Sequence, residues 1–413
     1  MPNQREPVID EPRLRLSPLP YHFAIRDYLK REQREIWEWY ASNRVQDNQT
    51  DAVRFELLKS TYRVDRDSQP MLYDVADQVA NDLGLDVPVT IYQAQNPQGL
   101  NASLAYLPNE AHIVFHGAIT TKLKGDEVRA LLGHELSHLL LWQGWEGEYL
   151  IVDQILSALT YDPNSDITHL ESARLFRLFS EIFCDRGSLA IVSDPAAVVS
   201  MLVKVMTDLE DVNAHSYMRQ ADEIFQKSNP KTDEYTHPEA YIRARAIQLW
   251  FDADPEADAK ISRMIEGPTS LHRPDFLGQE RLGQLTRCLL DRLLTPQCIR
   301  TDAVLAHAKL FFHDYVAPST AAEDPTLTET LQQADDTVRD YACYVLLDFV
   351  TSDRDLEEFP LAAALALSEK LDIKKRFVDL ARKELRMRKT QIDNVDRDKS
   401  ELLAKANRVL ATP

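Results

Sequence analysis

The chain has 413 residues, 66 acidic against 47 basic, and a formal net charge of -19, which disfavours nucleic acid or an anionic membrane surface as partner. With 44% hydrophobic and 27% charged residues it can bury a large core, and its length suggests two or three domains. No stretch approaches about 18 uncharged apolar residues, and Glu6 and Asp10 lie near Met1 with no apolar run after them, so neither a membrane span nor a signal peptide is expected. Cys184, Cys288, Cys298 and Cys343 are scattered without a paired metal-ligand spacing, which points to free thiols in a reducing, cytoplasmic setting.

From the N-terminus, Pro7 to Pro20 reads as an extended arm, followed by a helix around Tyr21 to Ala41 whose Trp37, Trp39 and Tyr40 are expected to pack. Met71 to Leu83 reads as a helix and Val87 to Ala94 as a strand. Ala102 to Leu107 and His112 to Phe115 read as two strands joined through Pro108-Asn109. Beyond Trp250 the pattern is helical throughout, broken at Asp254-Pro255, Gly267-Pro268 and the stretch from Pro318 to Pro325. The expected fold class is α+β, a small sheet with active-site helices, followed by an all-α module. The predicted segments are an N-terminal arm and helix over 1–60, a metal-site domain over 61–250, a helical connection over 251–325 and a helical module with a charged tail over 326–413.

The chemistry concentrates at His134-Glu135-Leu136-Ser137-His138. On a helix, positions i and i+4 share a face, so His134 and His138 can point their imidazoles at one ion while Glu135 reaches its open side. With eleven histidines in the chain, about 0.02 such patterns arise by chance. Context strengthens the reading: Gly125, Asp126 and Glu127 supply a turn, an N-cap and a first-turn acid, and Val128, Leu131, Leu132, Leu139 and Leu140 follow with helical apolar spacing.

A hydrolytic zinc ion with three protein ligands keeps its fourth position for water, so a third ligand is required. Ser172-Ala173 through Leu189 reads as a second helix, with Glu181 the best candidate and Glu171 the runner-up. Asp185 lies one turn beyond Glu181, where it could accept a hydrogen bond from the non-ligating nitrogen of His134 or His138. Cys184 sits between the two acids; packing as a small buried residue is favoured over a redox role.

These residues resemble the CAAX-prenyl-endopeptidase and HtpX-like zinc peptidases, family M48 of the gluzincins, from about Met71 to Trp250. The likeness rests on Asn101-Ala102-Ser103 ahead of Ile113-Val114-Phe115 and Gly117, on Leu132 to His138, on Glu181-x-x-x-Asp185, and on Thr236-His237-Pro238 with Arg243. It implies one zinc ion per chain held by His134, His138 and Glu181, with Glu135 as general base. It also implies that Asn101, Ala102 and Ser103 form an edge strand that docks a peptide or unfolded-protein substrate by strand addition. His237 and Arg243 lie near the site in such folds. Either could steady the oxyanion, and an arginine folded back to hold the Glu181 helix would fit equally well. Unlike the membrane members of that family, this sequence shows no span.

The C-terminal part resembles TerB-like helical domains of tellurite resistance. Tyr341 to Asp348 leads through Ser352-Asp353-Arg354-Asp355-Leu356-Glu357-Glu358 into a helix reaching Leu371, although Arg354 stands where a glycine is usual. Asp348, Asp353, Asp355 and Glu358 could hold a cation, but the turn lacks the glycine of a calcium loop, and helix N-capping by Asp353 or Asp355 is favoured. The tail from Arg386 to Lys405 is charged and helical, a solvated face or a partner helix. The expectation is a zinc metallopeptidase whose C-terminal module regulates it or docks a protein partner. A vestigial zinc scaffold acting as a stress sensor is the alternative, and the intact Glu135 argues against it.

Overall fold

In the computed structural model, residues 16–42, 47–95, 99–319 and 325–410 are described, so most of the expected N-terminal arm lies outside them. The chain divides into two compact units, Met1–Gly267 and Pro268–Pro413. The segment 251–325 is accordingly shared between them.

The first unit begins with α1 (Pro20–Glu32) and α2 (Arg34–Ser42), where a single helix was expected. At Gln33 the backbone leaves helical geometry (φ -121°, ψ 42°). Helix α2 then buries none of its side chains. Trp39 is 57% exposed with Tyr40 in a T-shaped contact, whereas Trp37 and Tyr40 are half-buried, so the expected aromatic stripe packs only in part.

Next come α3 (Asp47–Ser60), β1 (Thr61–Arg63), α4 (Pro70–Asp82), β2 (Val89–Ala94), β3 (Asn101–Leu107) and β4 (Glu110–His116). The sheet order is β1-β2-β4-β3, with β2 and β4 parallel and the other pairs antiparallel. Asn109 takes the left-handed conformation (φ 59°) that turns β3 into β4, a conformation asparagine tolerates better than most residues. Alternation assigns Ile91, Ile113 and Phe115 to the core, while Tyr92 and Val114 face outward under Leu57 of α3.

After the short α5 (Ile119–Lys122), the remaining helices of this unit are α6 (Asp126–Gln143), α7 (Glu148–Tyr161), α8 (Ile167–Val192), α9 (Pro195–Thr207), α10 (Ala214–Lys227), α11 (Ala240–Phe251) and α12 (Ala257–Glu266). Leu131, Leu132, Leu136 and Leu139 of α6 pack against the inner sheet face in one core with Val198, Leu202 and Ile247. Gly125 (φ 53°), rather than Asp126, is the residue that precedes the first turn of α6. Glu127 does sit in that first turn, accepting from Ser200 Oγ at 2.6 Å and Lys204 Nζ at 2.9 Å, which ties α6 to α9.

The second unit is all helical: α13 (Phe276–Leu293), α14 (Asp302–Phe311), α15 (Pro325–Gln333), α16 (Asp336–Thr351), α17 (Phe359–Lys370), α18 (Lys374–Glu384) and α19 (Lys389–Leu410). Its core joins Leu289, Leu293, Val338, Leu346, Phe349, Leu365 and Phe377. Ile392 and Val395 of the charged tail helix are buried in it, so α19 is packed on one face. In the acidic turn, Asp353 accepts from the Asp355 N–H at 3.0 Å and from Thr301 Oγ1 at 2.6 Å.

Candidate metal centre and active-site cleft

Two glycines let α6 and α8 approach closely enough to share a site. A Cβ on Gly187 would lie 1.8 Å from Ser137 Oγ, and one on Gly133 would lie 3.2 Å from both Ser188 Cα and Ile191 Cγ1. Ser188 Oγ donates to the Ala130 carbonyl at 2.8 Å across the same contact. A helical glycine costs roughly 1 kcal/mol relative to alanine, and here its missing side chain is what brings the His134 and Glu181 turns together.

Glu181 meets both histidines. Its Oε2 lies 3.3 Å from His134 Nε2 and its Oε1 lies 3.5 Å from His138 Nε2. The far side of His134 faces Asp185, with Nδ1 at 3.1 Å from Oδ1. That contact fixes Nδ1 as the nitrogen that donates to Asp185 and leaves Nε2 as the one that faces Glu181. Arg243 of α11 reaches back to Asp185 with both Nε (2.7 Å) and Nη2 (2.6 Å), and its Nη2 lies 3.5 Å from Glu181 Oε2. Its guanidinium is therefore in the helix-holding position. His237 is half-exposed, its Nε2 3.6 Å from Glu181 Oε1.

Burial and charge shape the titration of this cluster. Burial disfavours the charged form of His134, but hydrogen bonds with Asp185 and Glu181 outweigh it and raise the imidazole to about 10. Burial is the main cause that lowers His138 to about 4. Burial also opposes ionisation of Glu181, yet His134 and Arg243 hold it well below the usual carboxylate range. Glu135 is pushed up to about 7, by burial first and then by Glu181, against the pull of His134 and Arg243. The field of Glu181 and Asp185 thus favours positive charge at the imidazole edge.

A metal fits this donor set on structural grounds. Glu181 Oε2 is buried and poorly satisfied, with only the long 3.3 Å approach of His134 Nε2 and a 3.5 Å approach of Arg243 Nη2, while its Oε1 faces His138 Nε2. Two imidazoles and a carboxylate suit zinc. Cys184 adds a feature spacing alone did not place: its sulfur and the His134 and His138 nitrogens all lie within 4.8 Å of one another. Burial and then the acids Glu181, Glu135 and Asp185 raise that thiol well above its usual range, which disfavours the thiolate a metal needs. Glu171 lies elsewhere, about three turns before Glu181, with Oε1 2.7 Å from Arg174 Nη1.

The cluster opens into a cleft of about 950 Å³. Asn101, Ala102, Ser103 and Leu104 of the sheet-edge strand β3 line one side, with Glu135, His138, His237 and Arg243 around it. Trp142, one turn beyond His138, lies over that ring at 5.8 Å between centroids and is braced by the edge of Tyr106. Leu202, Val205, Met206 and Tyr217 add an apolar wall.

The arrangement is a candidate two-histidine, one-carboxylate metal centre in an α+β unit, with an acid at its mouth and a strand edge alongside. Residues 67–162 match the model of peptidase family M48. That stretch contains His134, Glu135 and His138 and ends before Glu181, His237 and Arg243. The chain is also 26% identical over 213 residues to plastoglobule-localized metallopeptidase 48, chloroplastic, of Arabidopsis thaliana, an alignment covering 47% of this chain and 61% of that protein. Less than two thirds of that relative's length is thus spanned. No solved structure matches the chain. Among the described residues, no helix is long and apolar enough to cross a membrane.

Proposed function

We propose that the chain is a zinc-dependent metalloendopeptidase of the gluzincin type, acting in a reducing, aqueous compartment. The observation that carries this reading is the convergence of His134, His138 and Glu181 beside Glu135, within one cleft bordered by the β3 edge. His134 Nε2, His138 Nε2 and Glu181 would hold the ion, which when bound supplies a Lewis acid that polarises the scissile carbonyl and acidifies water.

The chain's own residues do the rest. Glu135, kept weakly acidic by burial, takes a proton from water and passes it to the leaving amine. Asp185 orients His134, and Arg243 holds Asp185 with two hydrogen bonds, so we assign Arg243 a positioning role. His237, half-exposed at the cleft mouth, is left to donate to the developing oxyanion. The free edge of β3 offers backbone groups to an extended peptide. To the all-helical second unit we assign regulation or docking of a protein partner.

The test pairs metal analysis with cleavage profiling. Glu135→Gln is expected to keep a wild-type zinc content and lose at least about 100-fold in peptide turnover, because the amide holds position but cannot accept a proton. Equal turnover by both proteins on any cleaved peptide would defeat the mechanism.

A further inference from the structure

Helix α8 presents a ladder to the cleft. Arg177, Glu181 and Asp185 follow one another at i, i+4 and i+8, so they share one helical face. Of these, Glu181 and Asp185 are buried and engaged in the histidine cluster. Arg177 lines the same cleft and is exposed to it.

What sets Arg177 apart is that its neighbours are committed. Arg174 donates to Glu171, to the Thr232 carbonyl and to the Glu234 carbonyl. Arg186 pairs with Asp258. Arg243 is held by Asp185. Arg177 has no hydrogen bond or ion pair among the described residues. Asp153 of α7 feels its field, but burial dominates there and no ion pair joins them. The other acids on the cleft wall are Glu135 and Glu181 of the centre, Glu234, and Glu239, which accepts from the Asp233 N–H at 3.5 Å. An unpaired guanidinium one turn from a metal-ligand candidate is a planar fork matched to a carboxylate, which it can bind through two parallel N–H donors.

We propose that Arg177 is a specificity-determining residue that binds a carboxylate of the peptide substrate near the scissile bond. The inference rests on the peptidase reading above and adds a preference to it. The same chemistry has two sources in a peptide, an acidic side chain or the C-terminal carboxylate.

The test measures binding apart from turnover. Full-length, zinc-loaded Glu135→Gln protein is titrated by calorimetry with three short acetylated peptides: a neutral amide, the same amide carrying one Glu at scanned positions, and the neutral sequence with a free C-terminal acid. One of the two acidic peptides is expected to bind about tenfold more tightly than the neutral amide, and which one identifies the source. Arg177→Ala in the same background removes that advantage and leaves affinity for the neutral amide unchanged. Arg177→Glu transfers the preference to a Lys-containing amide. Ratios unchanged by both substitutions overturn the proposal. Loss of the peptidase reading has a separate signature, the absence of Glu135-dependent cleavage by otherwise wild-type protein.

Discussion

Gly187 and Ser137 touch where α8 crosses α6, so closely that a Cβ on Gly187 would fall 1.8 Å from Ser137 Oγ and 2.7 Å from Ser137 Cβ. The second distance matters more, because a hydroxyl can rotate away whereas a Cβ moves only with its helix. Gly187→Ala is therefore expected to push the helices apart, lowering stability by about 1–3 kcal/mol despite alanine's better helix propensity. Zinc affinity should fall with it, since the shift separates Glu181 from His134 and His138. Ser137→Gly removes both clashing atoms and should restore part of the loss. Thermal melts and zinc titrations of the single and double variants check this; a Gly187→Ala protein that melts and binds zinc like wild type would show that the contact is not tight.

The donor assignment predicts a ranking. Glu181→Ala removes the carboxylate facing both imidazoles and should reduce zinc affinity more than any other single acid substitution. Asp185→Ala removes orientation only, with an expected loss of about 10- to 100-fold. Cys184→Ser should leave zinc affinity near wild type, because burial and three neighbouring acids oppose formation of the thiolate. Competition with a metal chelator measures all three. A larger loss in Cys184→Ser than in Glu181→Ala would move the third ligand to sulfur.

Local periodicity made the histidine motif and the strands around it legible. An i, i+4 histidine pair in an apolar run needs only helical spacing, and β3 and β4 alternate around Pro108-Asn109 as hairpin strands do. Asp185 was also within reach of spacing, as an acid one turn beyond Glu181. What stayed out of view depends on contacts between distant segments. The Arg243 hold on Asp185 spans 58 positions, so the resemblance could offer it only as one of two equal roles for that arginine, and the Gly133 and Gly187 approach shows in the sequence only as helix-weakening residues. Arg177, at i-4 from Glu181, had a spacing signal, but its lack of an ion partner is visible only in three dimensions. The break at Gln33 has neither proline nor glycine to announce it.

His22 predicts how stability depends on pH. It is fully buried, accepts from the Leu19 N–H at 3.1 Å through Nδ1, and sits among Phe176, Tyr149 and Phe179 with Nε2 3.4 Å from Ser180 Oγ. Burial chiefly, and Arg186 next, lower its pKa from 6.5 to about 3. The neutral ring is therefore the folded form. Its contribution is complete above pH 6.5 and is lost as pH falls toward about 3, because the unfolded chain takes up the proton first. His22→Gln is expected to be less stable at neutral pH, yet to lose stability more slowly on acidification, by about 1.4 kcal/mol per pH unit between about pH 6 and pH 4. Denaturant midpoints across that range read the difference, and effects common to both proteins cancel. Parallel slopes would mean that His22 is already charged in the folded protein.

The boundary at Gly267 predicts where the chain can be cut. The first unit's core runs from Tyr73 to Ile247 and the second's from Leu285 to Val395, with no residue in common. A cut near Asp258 would strip Ile261, Met264 and Ile265 from α12 and the Thr232 N–H bond to the Met264 carbonyl at 2.8 Å, and would leave Arg186 without a secure partner. A chain ending at Gly267 keeps all of these. It is expected to unfold cooperatively, to bind zinc, and to cleave short unstructured peptides in a Glu135-dependent way. If the second unit controls access, the rate on protein substrates should change while that on short peptides does not. Side-by-side kinetics on a short peptide and on an unfolded protein decide the matter. Wild-type rates on both would exclude control of access and leave docking of a partner as the role of the helical unit.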